Sequence, residues 1–365
     1  MRAERQDGAS EGSGAGARAP ATPAPPHGSQ DAAPRVLIPP ALSQEALRLP
    51  AAHARVRTMG GLTMGTGWSV KFVAGGDPPA DLEALVLAEL DLVIEQMSTW
   101  REDSHLSRFN AAPADSWQML PEALFVVLEH AMHVARESGG AYDPTVGPLV
   151  NLWGFGPQGA RGRPTHAEVA ALRARVGWHR IELDASRKRA RQPGGAYVDL
   201  SGIAKGYAVD AVGRALRRAG VTSYLVEIGG ELYGHGVKPD GQPWWVDLER
   251  PPDAGEALPL TRVALHGLAV ATSGDYRRYA ADGRGEYSHT IDPRTGRPID
   301  NGVASVTVLH PECMVADAMA TALTVMGPEE GLAWASRRGL AAYIAWRAAG
   351  GYQEAMTPNF AAMME

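Results

Sequence analysis

The chain has 365 residues, 45% of them hydrophobic and 21% charged, and a formal net charge of -6. That length permits one large domain or two ordinary ones, and the acidic balance excludes a general nucleic-acid footprint, which needs a basic excess. The single cysteine, Cys313, excludes an internal disulfide and zinc sites of the multi-cysteine kind, and reads as a small apolar residue beside a strand.

Residues 1–50 are rich in Ala, Pro, Gly and Ser and cannot bury enough apolar surface to offset their ordering entropy. They read as a disordered tail ahead of a folded domain over 51–365. The tail has no continuous apolar h-region, no twin arginine and no lipid-accepting cysteine, so the chain as written reads as cytoplasmic. A misplaced start codon would instead allow an exported, periplasmic or inner-membrane-associated protein. No later stretch is apolar enough to span a bilayer.

Residues 58–73 predict a strand pair around a glycine-rich bend. Residues 79–100 predict a helix, with Leu82, Leu85, Val86, Leu90, Val93, Ile94 and Met97 at helical spacing. A short helix or turn follows over 103–110, a second clear helix over 121–138 that stops at Gly139-Gly140, and a third over 165–176 behind an N-cap threonine. Strands are expected over 180–183, 196–199, 223–228, 244–248, 262–269, around 271–272, 287–291 and 304–309. Helices are expected over 203–219, 315–326 and 328–338. The pattern is α+β, with much antiparallel strand and a few covering helices.

Several motif matches fail on context. Gly154-Phe-Gly-Pro-Gln-Gly159 fits a dinucleotide fingerprint but contains Pro157 and lacks the flanking strand and helix. Gly8-Ala-Ser-Glu-Gly12 fits a nucleophile elbow but lies in the tail. There is no Walker A sequence, and the histidines form no H-x-x-x-H or H-x-H pair suited to zinc.

Five segments carry chemistry. Val198-Asp-Leu-Ser-Gly-Ile-Ala-Lys-Gly-Tyr-Ala-Val-Asp210 reads as a strand ending at Asp199, a glycine turn, Lys205 and an amphipathic helix. Unpaired N–H groups and partial positive charge at a helix start make this a natural phosphate site. The block 140–156 combines aromatics, Asp143 and glycines, and suits either a flat ring or a well-packed loop. Residues 226–236 run through a glycine turn that reads as a simple hairpin or as a pocket wall. Ser288-His-Thr-Ile-Asp-Pro-Arg-Thr-Gly296 holds His289, an imidazole able to accept a proton near neutral pH, and then a tight turn. Asp317 and Thr321, four residues apart, share one helical face; two hard oxygens there suit Mg²⁺ better than zinc, and an N-cap with a helix threonine is the plainer alternative.

Together these blocks resemble one family, the FAD:protein FMN transferases, also called the ApbE or thiamine-biosynthesis-lipoprotein family. The resemblance is carried by Met64-Gly-Thr, Met97-Ser-Thr-Trp-Arg-Glu-Asp-Ser-His-Leu-Ser-Arg-Phe-Asn110, residues 142–157, the 198–210 segment, Ala271-Thr-Ser-Gly-Asp-Tyr276, residues 288–296 and 317–321. They occur in family order from about 58 to 330 and cover essentially the whole folded part.

The resemblance implies an α+β, T-fold-like core of mixed, largely antiparallel sheets with covering helices. It implies FAD as donor, Mg²⁺ as metal, and a Thr or Ser hydroxyl of a partner flavoprotein as acceptor of FMN, with AMP leaving. By position, Met64, Trp100, Ala141, Tyr142, Asp143, Asp199, Lys205 and Ile291 would line the FAD site. The Gly202 carbonyl, Asp317 and Thr321 would hold the metal, and His289 would be the general base. The chain departs from the family pattern at Trp100, where tyrosine is common, at His105, where Glu is usual, and at Ala320, where some members carry a second acid. The export lipobox of many members is missing. A Mg²⁺-dependent FAD pyrophosphatase giving FMN and AMP, and a flavin-binding module without catalysis, are the competing expectations.

Overall fold

The computed structural model describes residues 34–39, 48–51, 53–77, 79, 81–159, 162–275, 279–282 and 285–364. Residues 1–33, expected to be disordered, lie outside them. Part of the expected tail is ordered, however: Arg35–Leu37 forms strand β1, and Leu37 is fully buried. The apolar run Val36-Leu37-Ile38 inside the Ala/Pro-rich stretch gives that strand something to bury.

The first half continues with β2 (Arg55–Thr63), β3 (Thr66–Ala74), α1 (Leu82–Met97), α2 (His105–Ala111), β4 (Ser116–Met119), α3 (Glu122–Glu137), α4 (Gly147–Leu152), α5 (His166–Arg173), β5 (Glu182–Asp184) and β6 (Arg189–Gln192). Then come α6 (Ala204–Arg218), β7 (Tyr224–Ile228), β8 (Glu231–His235), β9 (Trp244–Asp247), β10 (Thr261–Leu265), β11 (Leu268–Gly274), β12 (Tyr279–Asp282), β13 (Gly285–Ser288), β14 (Ile291–Asp292) and β15 (Arg297–Pro298). The chain closes with β16 (Val303–His310), α7 (Cys313–Met326), α8 (Pro328–Arg337), β17 (Ala341–Ala348), β18 (Gly351–Met356) and α9 (Pro358–Ala361).

An eight-stranded antiparallel sheet of order β18-β17-β16-β11-β8-β7-β3-β2 is the frame. Smaller sheets flank it: β1-β10-β9, in which β1 runs parallel to β10, and β4-β6-β5. The α+β, largely antiparallel architecture expected from the sequence is therefore the one observed. No helix among the described residues is long and apolar enough to cross a membrane.

Four expectations change. Residues 287–291 are not one strand: a bend at His289 separates β13 from β14, which belong to different sheets. Residues 262–269 are not one strand: His266 and Gly267, the latter at φ 68°, separate β10 from β11, which belong to different sheets. Residues 180–183 start as a 3₁₀ turn, Trp178–Arg180, before β5. Residues 196–199 are not a strand. Ala196, Val198 and Leu200 alternate inward as a strand would, but side-chain amides replace the neighbouring strand. Asn110 accepts from the Val198 N–H at 2.7 Å and donates to the Val198 carbonyl at 2.9 Å. Gln192 accepts from the Ala196 N–H and donates to its carbonyl, both at 3.1 Å.

The two helices behind the large sheet are joined closely. Every residue of α7 except Thr321 is buried, as expected of a central helix that is apolar nearly all round. A Cβ on Gly206 in the first turn of α6 would lie 2.4 Å from the Cys313 carbonyl oxygen and 2.8 Å from Asp317 Cβ, so only glycine permits this approach. The helices then serve each other's ends. Asp210 of α6 accepts from the N–H groups of Cys313 (3.0 Å) and Met314 (2.9 Å) at the start of α7, and Asp317 of α7 accepts from the Gly206 N–H (3.0 Å) at the start of α6. Each bond satisfies an N–H that has no partner within its own helix.

Burial pushes the Asp210 carboxyl up to about 6, against the pull of its two N–H donors. A carboxyl raised in this way contributes most below its unfolded value of about 4, and that contribution is lost as pH rises through 6. From pH 4 to pH 7 the wild type should lose roughly 2 kcal/mol of unfolding free energy relative to Asp210→Asn. Urea unfolding of both proteins at several pH values checks this, and parallel pH profiles would refute a buried ionisation at Asp210.

Candidate functional site

The site forms where two hairpin tips meet the first turn of α6 and the Asp317–Thr321 stretch of α7. In the β2–β3 tip, Met64 and Gly65 bridge the paired Thr63 and Thr66 with φ of 48° and 74°. In the β7–β8 tip, Gly229 and Gly230 bridge Ile228 and Glu231 with φ of 61° and 95°. Two-residue turns with both central residues at positive φ match the twist of the flanking strands. A side chain such as Met64's pays roughly 1–2 kcal/mol in that conformation, and the hairpin holds it there. The tips touch: the Gly229 N–H donates to the Gly67 carbonyl at 3.1 Å, and a Cβ on Gly229 would lie 2.8 Å from Thr66 Cγ2 and 3.4 Å from Lys205 Cδ.

Lys205, in the first turn of α6, reaches into this corner. Its Nζ stands 2.7 Å from Glu231 Oε1 and 3.8 Å from Asp317 Oδ2. Asp317 is buried, and its hydrogen bond from Gly206 also uses Oδ2. Thr321, one turn on, is the one residue of α7 that is not buried; its hydroxyl lies 3.5 Å from Ser273 Oγ on β11. A Cβ on Gly202 would stand 3.0 Å from Thr321 Oγ1 and 3.4 Å from Tyr142 Cε2. Gly202, Lys205, Asp317, Thr321 and Tyr142 are thus brought together from three segments of the chain.

Tyr142 is buried to 4% exposure, and among the described residues its hydroxyl has no hydrogen-bond partner. Burial first, then the negative charge of Asp317, Asp199 and Asp143, pushes the phenol far above its ordinary value, so it stays a neutral donor. A buried donor left without a partner beside the start of α6 fits an anionic ligand. The oxygens beside it, one carboxylate, one hydroxyl and a main-chain carbonyl at Gly202, are the hard donors that suit Mg²⁺ shared with substrate phosphates. Among the described residues no group of three or more His, Cys, Asp or Glu is placed to hold a metal, so a cation here would rely on this mixed set.

The other sequence-named residues take different places. Asp199 is partly buried; its Oδ1 accepts from the Ser201 N–H (2.8 Å) and hydroxyl (2.5 Å), while its own N–H donates to the Pro144 carbonyl at 2.7 Å. Asp143 accepts three hydrogen bonds, from the Thr145 N–H and hydroxyl and from the Trp178 N–H, so its carboxylate organises its own loop. Ala141 and Ile291 are 1% and 5% exposed, which leaves mainly main-chain groups for a ligand. Ile291 packs with Leu149, Trp153 and Val169 in a small separate core. Trp100 is 63% exposed, a wide apolar surface near the start of α2. His289 lies in the bend between β13 and β14, its ring edge-on to Phe155 at 6.2 Å. Asp292-Pro-Arg-Thr-Gly296 is the tight turn expected: the Gly296 N–H donates to the Asp292 carbonyl at 2.8 Å, and Trp153 Nε1 donates to the Gly296 carbonyl at 2.9 Å. The Gly154–Gly159 match lies in turns and irregular chain.

Sequence reasoning missed Glu231 and Asp210. Glu231 directly follows the Gly229-Gly230 turn, and an acid at the exit of a tight hairpin tip was the available signal. Asp210 lay at the end of the 198–210 segment, but its partner residues are over a hundred positions away.

The ApbE family profile matches residues 64–344, and the chain belongs to that family. It is 38% identical over 321 residues to an FAD:protein FMN transferase of Haemophilus influenzae, covering 86% of this chain and 93% of that protein. It is 40% identical over 306 residues to the Vibrio cholerae protein of the same name, covering 83% and 91%. Among solved structures, the apo flavinyl transferase ApbE of Pseudomonas stutzeri superimposes with a TM-score of 0.79 at 41% identity, covering 85% of this chain and 97% of that one.

Removing the orphan hydroxyl tests whether it is held for a ligand. Tyr142→Phe should raise the stability of the ligand-free protein by roughly 1 kcal/mol, because an unsatisfied buried donor is relieved, and should weaken FAD binding. Urea unfolding and flavin fluorescence quenching read the two effects; a destabilised variant would show that the hydroxyl is already bonded.

Proposed function

We propose that this chain is a transferase that moves FMN from FAD onto a Thr or Ser hydroxyl of a partner flavoprotein, releasing AMP. The observation that carries the proposal is the orphaned hydroxyl of Tyr142, whose ring adjoins Gly202 beside Thr321, with Asp317 and Lys205 close by at the start of α6. That corner suits a pyrophosphate, and the relatives above carry the name of this activity.

In the reaction, the acceptor oxygen forms a bond to the phosphorus on the FMN side of the pyrophosphate. The bond from that phosphorus to the bridging oxygen breaks, and the bridging oxygen leaves with AMP. A ring nitrogen of His289 takes the acceptor's proton. Phosphoryl transfer needs mainly positioning and electrostatic stabilisation, so few side chains take part chemically. Lys205 and the partial positive charge at the start of α6 counter the charge that grows on the phosphoryl oxygens. Asp317, Thr321 and the Gly202 carbonyl would hold Mg²⁺, which when bound supplies charge neutralisation at the pyrophosphate. Met64 and the exposed face of Trp100 offer apolar surface to the flavin or adenine ring.

Two substitutions test this reading. With FAD, Mg²⁺ and a flavoprotein domain that bears an accessible Thr or Ser, Asp317→Ala should reduce FMN addition by at least about 100-fold while the fold persists. Intact-mass measurement of the acceptor reads the product, and undiminished addition at saturating FAD would remove Asp317 from the metal site. His289→Asn should lower the transfer rate by roughly 100-fold with little change in FAD affinity. FMN and AMP appearing in solution without any gain in acceptor mass would instead mark a pyrophosphatase.

A further inference from the structure

Glu231 is 1% exposed, and nothing in the reaction above uses it. A carboxylate so placed is costly unless a cation meets it. Lys205 does so at 2.7 Å, while the same ammonium stands 3.8 Å from Asp317 Oδ2. The lysine therefore has two carboxylates within reach, and it rests on the one that is not assigned to a metal. We infer that Glu231 is a positioning residue that draws the Lys205 ammonium toward β8 and so keeps Asp317 open to a divalent cation.

The placement is built into the backbone. Glu231 pairs with Ile228 across the two-residue Gly229-Gly230 turn, and the Gly229 N–H bond to the Gly67 carbonyl at 3.1 Å pins that turn to the neighbouring hairpin. Gly229 also walls the lysine stem, since a Cβ there would come within 3.4 Å of Lys205 Cδ. Asp317 is fixed from the other side by the Gly206 N–H on Oδ2. With both carboxylates held, the lysine is the movable charge. Were Glu231 neutral, the ammonium would lose the nearer of these two carboxylates while Asp317 still stands 3.8 Å away, and ammonium and metal would compete for Asp317.

The inference rests on the assignment of Asp317 to a cation, and its test does not use turnover. Mn²⁺ serves as the probe, titrated into FAD-saturated protein without acceptor, with binding read from loss of the free-ion EPR signal. Glu231→Gln should weaken Mn²⁺ binding roughly 10–100-fold, the range typical of residues that support metal ligands. Glu231→Asp, which keeps the charge, should bind more tightly than Glu231→Gln; a space-filling role predicts the reverse order, because Gln is the closer isostere. Wild-type Mn²⁺ affinity in Glu231→Gln, or tighter binding by Glu231→Gln than by Glu231→Asp, overturns the inference. A wild-type chain that binds Mn²⁺ in this assay yet adds no FMN to an acceptor defeats the transferase reading and leaves this one intact.

Discussion

The reciprocal capping of α6 and α7 is the constraint on which the rest of the site depends. Asp210 reaches from α6 to the first N–H groups of α7, and Asp317 reaches from α7 to the first turn of α6. Gly206 makes the exchange possible, because any side chain there would overlap the Cys313 carbonyl. One geometric event thus fixes both helix starts, places Asp317 beside Lys205, and turns Thr321 toward the opening. The start of α6 and its lysine then face the same small volume, an electrostatic setting that favours phosphate before any specific contact is made.

The hairpin tips supply the opposite wall, and the large sheet supplies their rigidity. β3 and β7 are neighbours in that sheet, so the β2–β3 and β7–β8 turns emerge side by side. Glycine at 229 is needed twice over, for its positive φ and for its closeness to Thr66 and Lys205. Met64 holds a conformation unfavourable to its side chain, and that strain sits at the rim of the site, where local rules are most often broken in favour of function.

Much of this was legible in the sequence because it depends on local order. Asp317 and Thr321 share a face by simple helical spacing, and the Lys205 helix start follows from its glycine turn. The expected helices over 121–138, 203–219 and 315–326 correspond to α3, α6 and α7, and the N-cap threonine of the third helix is Thr165, which forms a full capping box with Glu168. The rest was hidden for physical reasons. The 196–199 segment has the burial alternation of a strand, yet Asn110 and Gln192 take the place of its partner, and no periodicity in the segment itself can announce an amide from elsewhere. The final hairpin β17–β18 was overlooked although it carries an edge of the main sheet. The Lys205–Glu231 and Asp210–α7 contacts join residues far apart in sequence, and an acid after Gly-Gly looks like any polar turn residue until the fold brings a lysine to it.

The donor set also explains why so few acids surround the proposed cation position. FAD brings its own anionic oxygens, and a ring of carboxylates would repel the pyrophosphate it is meant to receive. Neutral donors, the Thr321 hydroxyl, the Gly202 carbonyl and the Tyr142 phenol, avoid that repulsion while still offering polar partners. Tyr142 remains protonated because burial and three nearby carboxylates oppose its ionisation, so it can only donate or accept a hydrogen bond and adds no charge. Of the buried acids Glu231 and Asp317 beside the lysine, Glu231 makes the 2.7 Å ion pair, while Asp317 stands 3.8 Å away with its charge less closely matched. A corner assembled in this way is polar enough to bind an anion with its metal, and close enough to electrical balance that the buried charges do not by themselves destabilise the helices that carry them.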